Sequence, residues 1–444
     1  MQRLLKNIIV LILTWEARLV LVRHKPFIIA ITGSVGKTST KDAIYQVLNP
    51  PSERDTTRVR KSQKSFNSEL GIPLTVLGLE NAWRDPRAWM VNIFKGALLV
   101  ILPNAYPKVL VLEVGADHPG DIKRVCKWLK PDIALVTSLP NKPVHVEYFD
   151  SPEDVKKEKA ELVKALKDSG VFVANADDMS VISLVGDTRA RMLTYGFTPT
   201  AQVRASNMEV HYEEKEGRKI PVGMTFDIDW QGTQLPVRLF GVLGIQPCMA
   251  TLAALAVGIS QGRTLIEMIQ SLTMLPSPPG RMRIISGWGG STIIDDTYNS
   301  SPIALEAALD TLKNIPANHR IAMLGDMLEL GKYSEEEHWR LGRFTGSFVD
   351  ELVTVGKRAK GIAEAAKTAG LQEGKIHQFL NSKEAGEWLK DKIKTDDVIL
   401  AKGSQGSGEN MIRMERAVAV IMAHPKDAKK LLVRQEAEWQ KQYI

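Results

Sequence analysis

The chain has 444 residues, 44% of them hydrophobic and 25% charged, a balance that excludes a disordered protein and predicts two or three globular domains. Its net charge of +7 suits an anionic substrate or membrane surface, but no basic run with interleaved aromatics points to nucleic acid. The two cysteines, Cys126 and Cys248, form neither a disulfide framework nor a zinc spacing, so a reducing cytoplasm is expected.

Residues 4–22 are strongly apolar, yet Lys6, Glu16 and Arg18 interrupt them. No uncharged run reaches the roughly 18 residues a spanning helix needs. On a helical wheel Arg3, Lys6, Asn7, Thr14 and Arg18 gather on one side. Residues 1–26 therefore read as an amphipathic helix, lying at a membrane interface or docked on this protein's own core or in a dimer. A cleaved secretory signal fits poorly, because the next strand begins almost at once.

That strand opens the most informative stretch, Phe27-Ile-Ile-Ala-Ile-Thr-Gly-Ser-Val-Gly-Lys-Thr-Ser-Thr40. An apolar β-branched run meets a glycine-bounded turn and then a helical pattern. Gly33 and Gly36 let the N–H groups of Ser34, Val35 and their neighbours through Ser39 turn onto a polyphosphate. Lys37 offers a point charge to the β- and γ-phosphates, and the Thr38 hydroxyl can ligate Mg²⁺. ATP and Mg²⁺ are the implied cofactors.

The following helix stops at Pro50-Pro51, and polar residues 52–65 predict a loop leading to Asn67-Ser-Glu-Leu-Gly-Ile-Pro73. Asn67 and Ser68 are candidate substrate contacts. A second apolar, aromatic-rich stretch follows within 81–107, densest over 85–103. Residues 108–114 and 132–137 read as buried parallel strands separated by a helix near 119–129. A charged helix covers 153–169, a strand 171–174, a β-rich segment 200–240 and an Ala/Leu-rich helix 249–261. Past the linker Pro276-Ser-Pro-Pro-Gly-Arg281, strands at 292–295, 320–324, 351–355 and 397–401 restart the strand–helix alternation. The predicted class is α/β: a P-loop-type central ATPase domain with a parallel sheet (27–278) and a C-terminal Rossmann-like α/β domain (279–444).

Ligands gather at the C-terminal edge of a parallel sheet, and several polar residues fall there. Glu113 ends one strand and is a natural Mg²⁺ ligand opposite the phosphate loop. Asp117, before Pro119, suits a helix cap. His145 follows the next strand and is a candidate to complete a metal shell. Asp295, Asp296 and Asn299 close the first strand of the last domain, where acids hold ribose hydroxyls. Lys402 and Ser404 end the final strand and are further candidate substrate contacts.

The strings ITGSVGKTST, NSELGIPLTVL, LEVGADHPGDI, HVEYFDSPEDVKKEKAEL, PPGRMR, DDTYNSSP, LGDMLELG and KGS resemble the Mur ligase family of ATP-dependent amide ligases over roughly residues 27–425. The resemblance implies that ATP phosphorylates a substrate carboxylate and an amine attacks the acyl phosphate. It puts Thr38 and Glu113 on one Mg²⁺, His145 on a second, and makes Lys159 a carbamylated lysine. Lys37, Lys159 and His145 are then the catalytic set. Arg281, Asp296 and Asn299 are ATP contacts from the C-terminal domain, and His338 stands where the family carries a histidine.

The implied substrates are a muramoyl-peptide carboxylate and an amino acid or dipeptide such as D-alanyl-D-alanine, joined in the cytoplasm. The alternatives are a lipid-linked or polyglutamate-like carboxylate, or a non-catalytic, membrane-associated nucleotide-binding partner. Three departures stand out. About 26 residues precede the phosphate-loop strand, where the family has a uridine-nucleotide domain, so substrate capture is expected to differ. Leu243 and Pro247 replace a histidine and an adenine-facing asparagine, and Asp117 replaces a common asparagine. The segment 81–107 is inserted, and residues 85–103 with residues 1–24 are expected either to form a joint apolar surface at the inner membrane face or to pack internally.

Overall fold

In a computed structural model, residues 2–50, 58–63, 66–83, 85–215, 217–406, 411–436 and 439 are described. The loop expected over 52–65 lies in part outside them. The apolar runs become Phe27–Thr32 (β1), Val109–Glu113 (β3), Ile133–Val136 (β4) and Val171–Asn175 (β5), and two unexpected strands join them: Val59–Lys61 (β2), inside the stretch expected as a loop, and Arg191–Gly196 (β6). The β-rich segment supplies Val203–Lys215 (β7), Arg218–Trp230 (β8) and Thr233–Phe240 (β9). Among the described residues these form one sheet in the order β2-β3-β1-β4-β5-β6-β7-β8-β9, parallel as far as the β6–β7 pair and antiparallel beyond it.

The helices of this half begin with Gln2–His24 (α1), Lys37–Leu48 (α2), Gly71–Leu77 (α3), Pro86–Ile101 (α4), Asp121–Cys126 (α5) and Pro152–Lys164 (α6). One face of the sheet carries α2 and the helices Ile245–Ser260 and Leu265–Thr273, packed through Ile44, Val47, Leu252 and Leu255. The opposite face packs α1, α3, α4, α5 and α6 on Ile28, Ala30, Leu110 and Leu112. The inserted segment is thus a helix, started by Asp85, which accepts from Arg87 N and Ala88 N, with Pro86 in its first turn.

A second sheet contains Arg283–Ser286 (β10), Thr292–Asp296 (β11), Arg320–Gly325 (β12), Glu351–Val355 (β13), Ile376–Phe379 (β14) and Val398–Lys402 (β15). Its order is β10-β11-β15-β12-β13-β14, with β10 antiparallel and the rest parallel. Both cysteines are free and buried.

α1 has two apolar faces. Ile9, Leu13, Ala17 and Val20 are buried against the sheet layer, so this face docks on the protein's own core. Leu11, Trp15 and Val22 face solvent. No helix among the described residues is long and apolar enough to cross a membrane.

Glu16 interrupts the buried face at the α1–α4 crossing. The helices approach so closely that a Cβ on Gly96 would lie 2.1 Å from Glu16 Oε2, and that oxygen has no hydrogen-bond partner among the described residues. Burial raises the Glu16 carboxyl to about 7. The folded state therefore holds this proton better than the unfolded chain, and stability falls as pH rises from the ordinary carboxylate range through about 7. Glu16→Gln should flatten this dependence. In thermal melts, its Tm relative to the parent should be higher at pH ~8 than at pH ~5. Equal pH dependence in both proteins would show that Glu16 is already charged in the fold.

Candidate active site

The phosphate loop runs from β1 into α2. Gly33 has φ +137°, and a Cβ there would meet Thr137 Oγ1 at 2.0 Å, so only glycine lets the loop approach the end of β4. Gly36, at φ 86°, begins α2. Ser138 steadies the loop from β4: its carbonyl accepts from Ser34 N at 3.0 Å and its hydroxyl from Val35 N at 3.3 Å. Lys37 Nζ folds back to Gly33 O at 2.9 Å. Burial lowers the Lys37 ammonium, Glu113 and Asp117 counter that effect, and Arg281 adds to it.

Glu113 is buried at the C-terminal edge of β3. Its Oε2 accepts from Thr38 Oγ1 at 3.0 Å and its Oε1 from Asn67 Nδ2 at 3.4 Å, with Lys41 Nζ 4.0 Å away. The expected pairing of Thr38 with Glu113 is thus formed. Among the described residues no group of three His, Cys, Asp or Glu side chains could hold a metal. A hydroxyl and a carboxylate still fit Mg²⁺, which takes oxygen ligands and keeps waters and substrate phosphates in its shell.

Lys159 lies beneath the loop on α6, 3% exposed, with Nζ donating to Ser34 Oγ at 2.7 Å. Burial, then the Lys37 charge, hold its amine well below the usual lysine range. Its neighbour Glu158 accepts from the backbone N–H groups of Gly120, Ile122 and Lys123, clamping α6 to the start of α5. Asp117 does not make that cap. Asp121 Oδ2 accepts from Asp117 N and His118 N, leaving the Asp117 carboxylate on the cleft wall.

A cavity of about 520 Å³ opens between the two sheets. Ser34 to Ser39, Asn67 and Glu113 line it from the first; Arg281, Asp296, Asn299, Lys402 and Ser404 line it from the second. Arg281 stacks on Tyr298, its Cζ 3.9 Å from the ring centroid, and its buried Nε has no hydrogen-bond partner among the described residues. His145, at φ 69°, lies with Nδ1 2.9 Å from Glu329 and Nε2 3.8 Å from Asp117. Arg358 also borders the cavity, with its backbone N–H donating to Asp326 Oδ1 at 2.9 Å.

Several expected ligand contacts are occupied within the protein. Lys402 is buried, bonded to Asp296 Oδ2 at 2.5 Å and Asn299 O at 2.9 Å, while Asp296 Oδ1 accepts from Met282 N. Asp295 ties Gly280 N to Thr297, and burial lifts its carboxyl to about 6. The Ser404 hydroxyl bridges Ser300 O and Leu328 N. Ser68 stays outside the cavity, where its hydroxyl accepts from Gly71 N at 3.4 Å. His338 is buried and neutral in character: Nε2 accepts from Met327 N, Nδ1 faces Ser334 O at 2.6 Å, and burial lowers its pKa. It shapes the loop that carries Glu329.

Glu158, Gln246, Glu329 and Arg358 escaped the sequence reading. Gln246 borders the first cavity and a second, of about 550 Å³, on the other side of Gly36. Leu243, at one replaced family position, is fully buried, while Pro247 lines the first cavity. Glu158 and Glu329 lie within two of the matching strings and Gln246 lies beside Pro247, whereas Arg358 had no such signal.

The fold and cleft define a phosphate-loop α/β protein whose nucleotide edge is faced by a second α/β unit. Residues 31–256 match the Mur ligase middle domain and residues 280–405 the Mur ligase, glutamate ligase domain. The chain belongs to the Mur ligase family and is an ATP-dependent carboxylate–amine ligase. It is 31% identical over 402 residues to the UDP-N-acetylmuramoyl-tripeptide–D-alanyl-D-alanine ligase of Mycobacterium tuberculosis H37Rv, spanning 86% of this chain and 71% of that protein. The Bacillus subtilis 168 ligase of the same name is 26% identical over 401 residues, covering 90% and 76%. A crystal structure of MurF ligase from Thermotoga maritima in complex with ADP superposes with TM-score 0.73 at 25% identity, covering 95% of this chain and 84% of that one.

Proposed function

We propose that the chain joins a D-alanyl-D-alanine dipeptide to a muramoyl-peptide carboxylate in cell-wall precursor synthesis, with ATP activating the carboxylate. The observation that carries this is the two-sided cleft. Lys37 and the Thr38–Glu113 pair stand on one wall, and Arg281 with its unsatisfied Nε stands on the other. The names and coverage of the relatives supply the substrate class.

In this reading residues 27–278 hold the nucleotide and residues 279–444 close over it. Ser34 to Ser39 cradle the phosphates, and the second cavity beside Gln246 takes the base. Thr38 and Glu113 hold Mg²⁺, which supplies charge neutralisation to the transferring phosphoryl group. Lys37 and Arg281 add positive charge where the acyl phosphate forms. Lys159, as a carbamate, supplies an anion beneath the loop. His145, on the cleft wall, faces a second cation whose other ligands come from phosphate and water oxygens, and Arg358 receives the carboxylate of the incoming dipeptide. The protein works in the cytoplasm, with a peripheral seat on the inner membrane face.

Phosphate release from ATP and Mg²⁺ tests the reading, with UDP-N-acetylmuramoyl-tripeptide supplied with and without D-alanyl-D-alanine. Release should require both. Release with a different carboxylate, and none with this pair, would move the assignment to another substrate.

A further inference from the structure

More than half of the large apolar side chains exposed among the described residues lie between Leu5 and Leu102. They occupy one surface. α1 and α4 lie side by side on the same layer, burying Leu13 and Val20 from one and Trp89 from the other. Their outer faces therefore point the same way. On α1 this face carries Leu11 (70% exposed), Trp15 and Val22 (71%); on α4 it carries Met90 (72%), Phe94 and Ile101 (69%). Such a contiguous apolar surface is unusual on a protein that stays in water.

Its charges have one sign. Lys6, Arg18 and Arg23 on α1 and Arg87 and Lys95 on α4 are exposed, whereas Glu16, the one acid on either helix, is buried. Of the exposed acids at the margin, Glu69 pairs with Lys6 at 3.5 Å and Asp85 caps α4. We propose that the α1–α4 face docks on an anionic phospholipid bilayer, its apolar side chains entering the headgroup boundary and its lysines and arginines meeting lipid phosphates. The inference rests on the peripheral seat proposed above and names what occupies the face. A second copy of the same face would bring like charges together, which disfavours self-association.

The docked face borders the active site. The Lys6–Glu69 pair ties α1 to the turn carrying Asn67, whose amide reaches Glu113. A carboxylate substrate anchored in the same bilayer would arrive at this edge of the cleft.

The full chain without substrates should co-sediment with phosphatidylcholine vesicles containing about a third phosphatidylglycerol, bind pure phosphatidylcholine at least about tenfold more weakly, and dissociate at molar salt. Leu11→Glu with Phe94→Glu should lower binding at least about tenfold while leaving the ligase rate on soluble substrates unchanged. Arg18→Glu with Lys95→Glu, which touches no packed side chain, should abolish the preference for the anionic lipid. Absence of wild-type binding, or binding by either double variant equal to that of the wild type, overturns the proposal. A wild-type dimer that the apolar variant dissociates, without vesicle binding, assigns the face to a second copy and also overturns it. Because binding is read without substrate, a failed ligase assay leaves this result standing.

Discussion

Lys37→Ala is expected to lower ATP-dependent ligation about a thousandfold while shifting the melting temperature by no more than a few degrees. The small structural cost follows from its contacts. Its ammonium donates to Gly33 O within the same loop, and the loop is independently held by Ser138. The large catalytic cost follows from charge. Transfer of the γ-phosphoryl group spreads negative charge over oxygens in a cleft where Glu113 and Asp117 already contribute anions. Lys37 is the cation on the loop itself, and Arg281, across the cleft, approaches from one side only. Steady-state turnover with a parallel thermal melt decides the matter. A variant retaining a tenth of the parent rate would assign the neutralising role to Arg281 and the metal.

Lys159→Ala should cost at least about a hundredfold, for a different reason. A lysine kept well below its usual range presents a lone pair, and CO₂ adds to a neutral amine with loss of one proton. The carbamylation proposed above would turn this buried amine, held next to Lys37, into an anion that Lys37 stabilises. Carbon-13 NMR after exposure to labelled bicarbonate should show one carbamate resonance in the parent that is missing in the variant. Turnover of the parent should rise with added bicarbonate, and a short carboxylate should restore part of the variant's activity. A parent without the resonance, whose rate ignores bicarbonate, would leave Lys159 as a plain hydrogen-bond donor to Ser34.

The central strands were legible because parallel strands buried on both faces read as unbroken apolar runs, as in Ile29–Ile31 and Leu110–Leu112. The phosphate loop was legible because its glycines are required by geometry. β2, β10 and β14 were not, being three or four residues long and partly polar. Position at a strand end correctly put Glu113 on the cleft. The same argument put Lys402, Ser404 and Asp296 on the cleft, but not their bonds to groups about a hundred residues away, which only the folded chain shows. For Lys159 the helix pattern held no distinguishing sign. Its burial comes from α6 passing under a loop more than a hundred residues earlier.

The attachment of Arg281 has a consequence for fuel economy. Gly280 N is bonded to Asp295, Gly280 O to Tyr298 N, and the Arg281 guanidinium stacks on the Tyr298 ring. The arginine therefore travels with the second sheet although it comes before it in the chain. Any separation of the two sheets withdraws it from Lys37, and the full set of cations assembles only when both halves meet over a loaded cleft. Were the halves to part, ATP resting alone on the phosphate loop would lack the Arg281 charge that phosphoryl transfer needs, and the arrangement would work as a coincidence detector against idle hydrolysis.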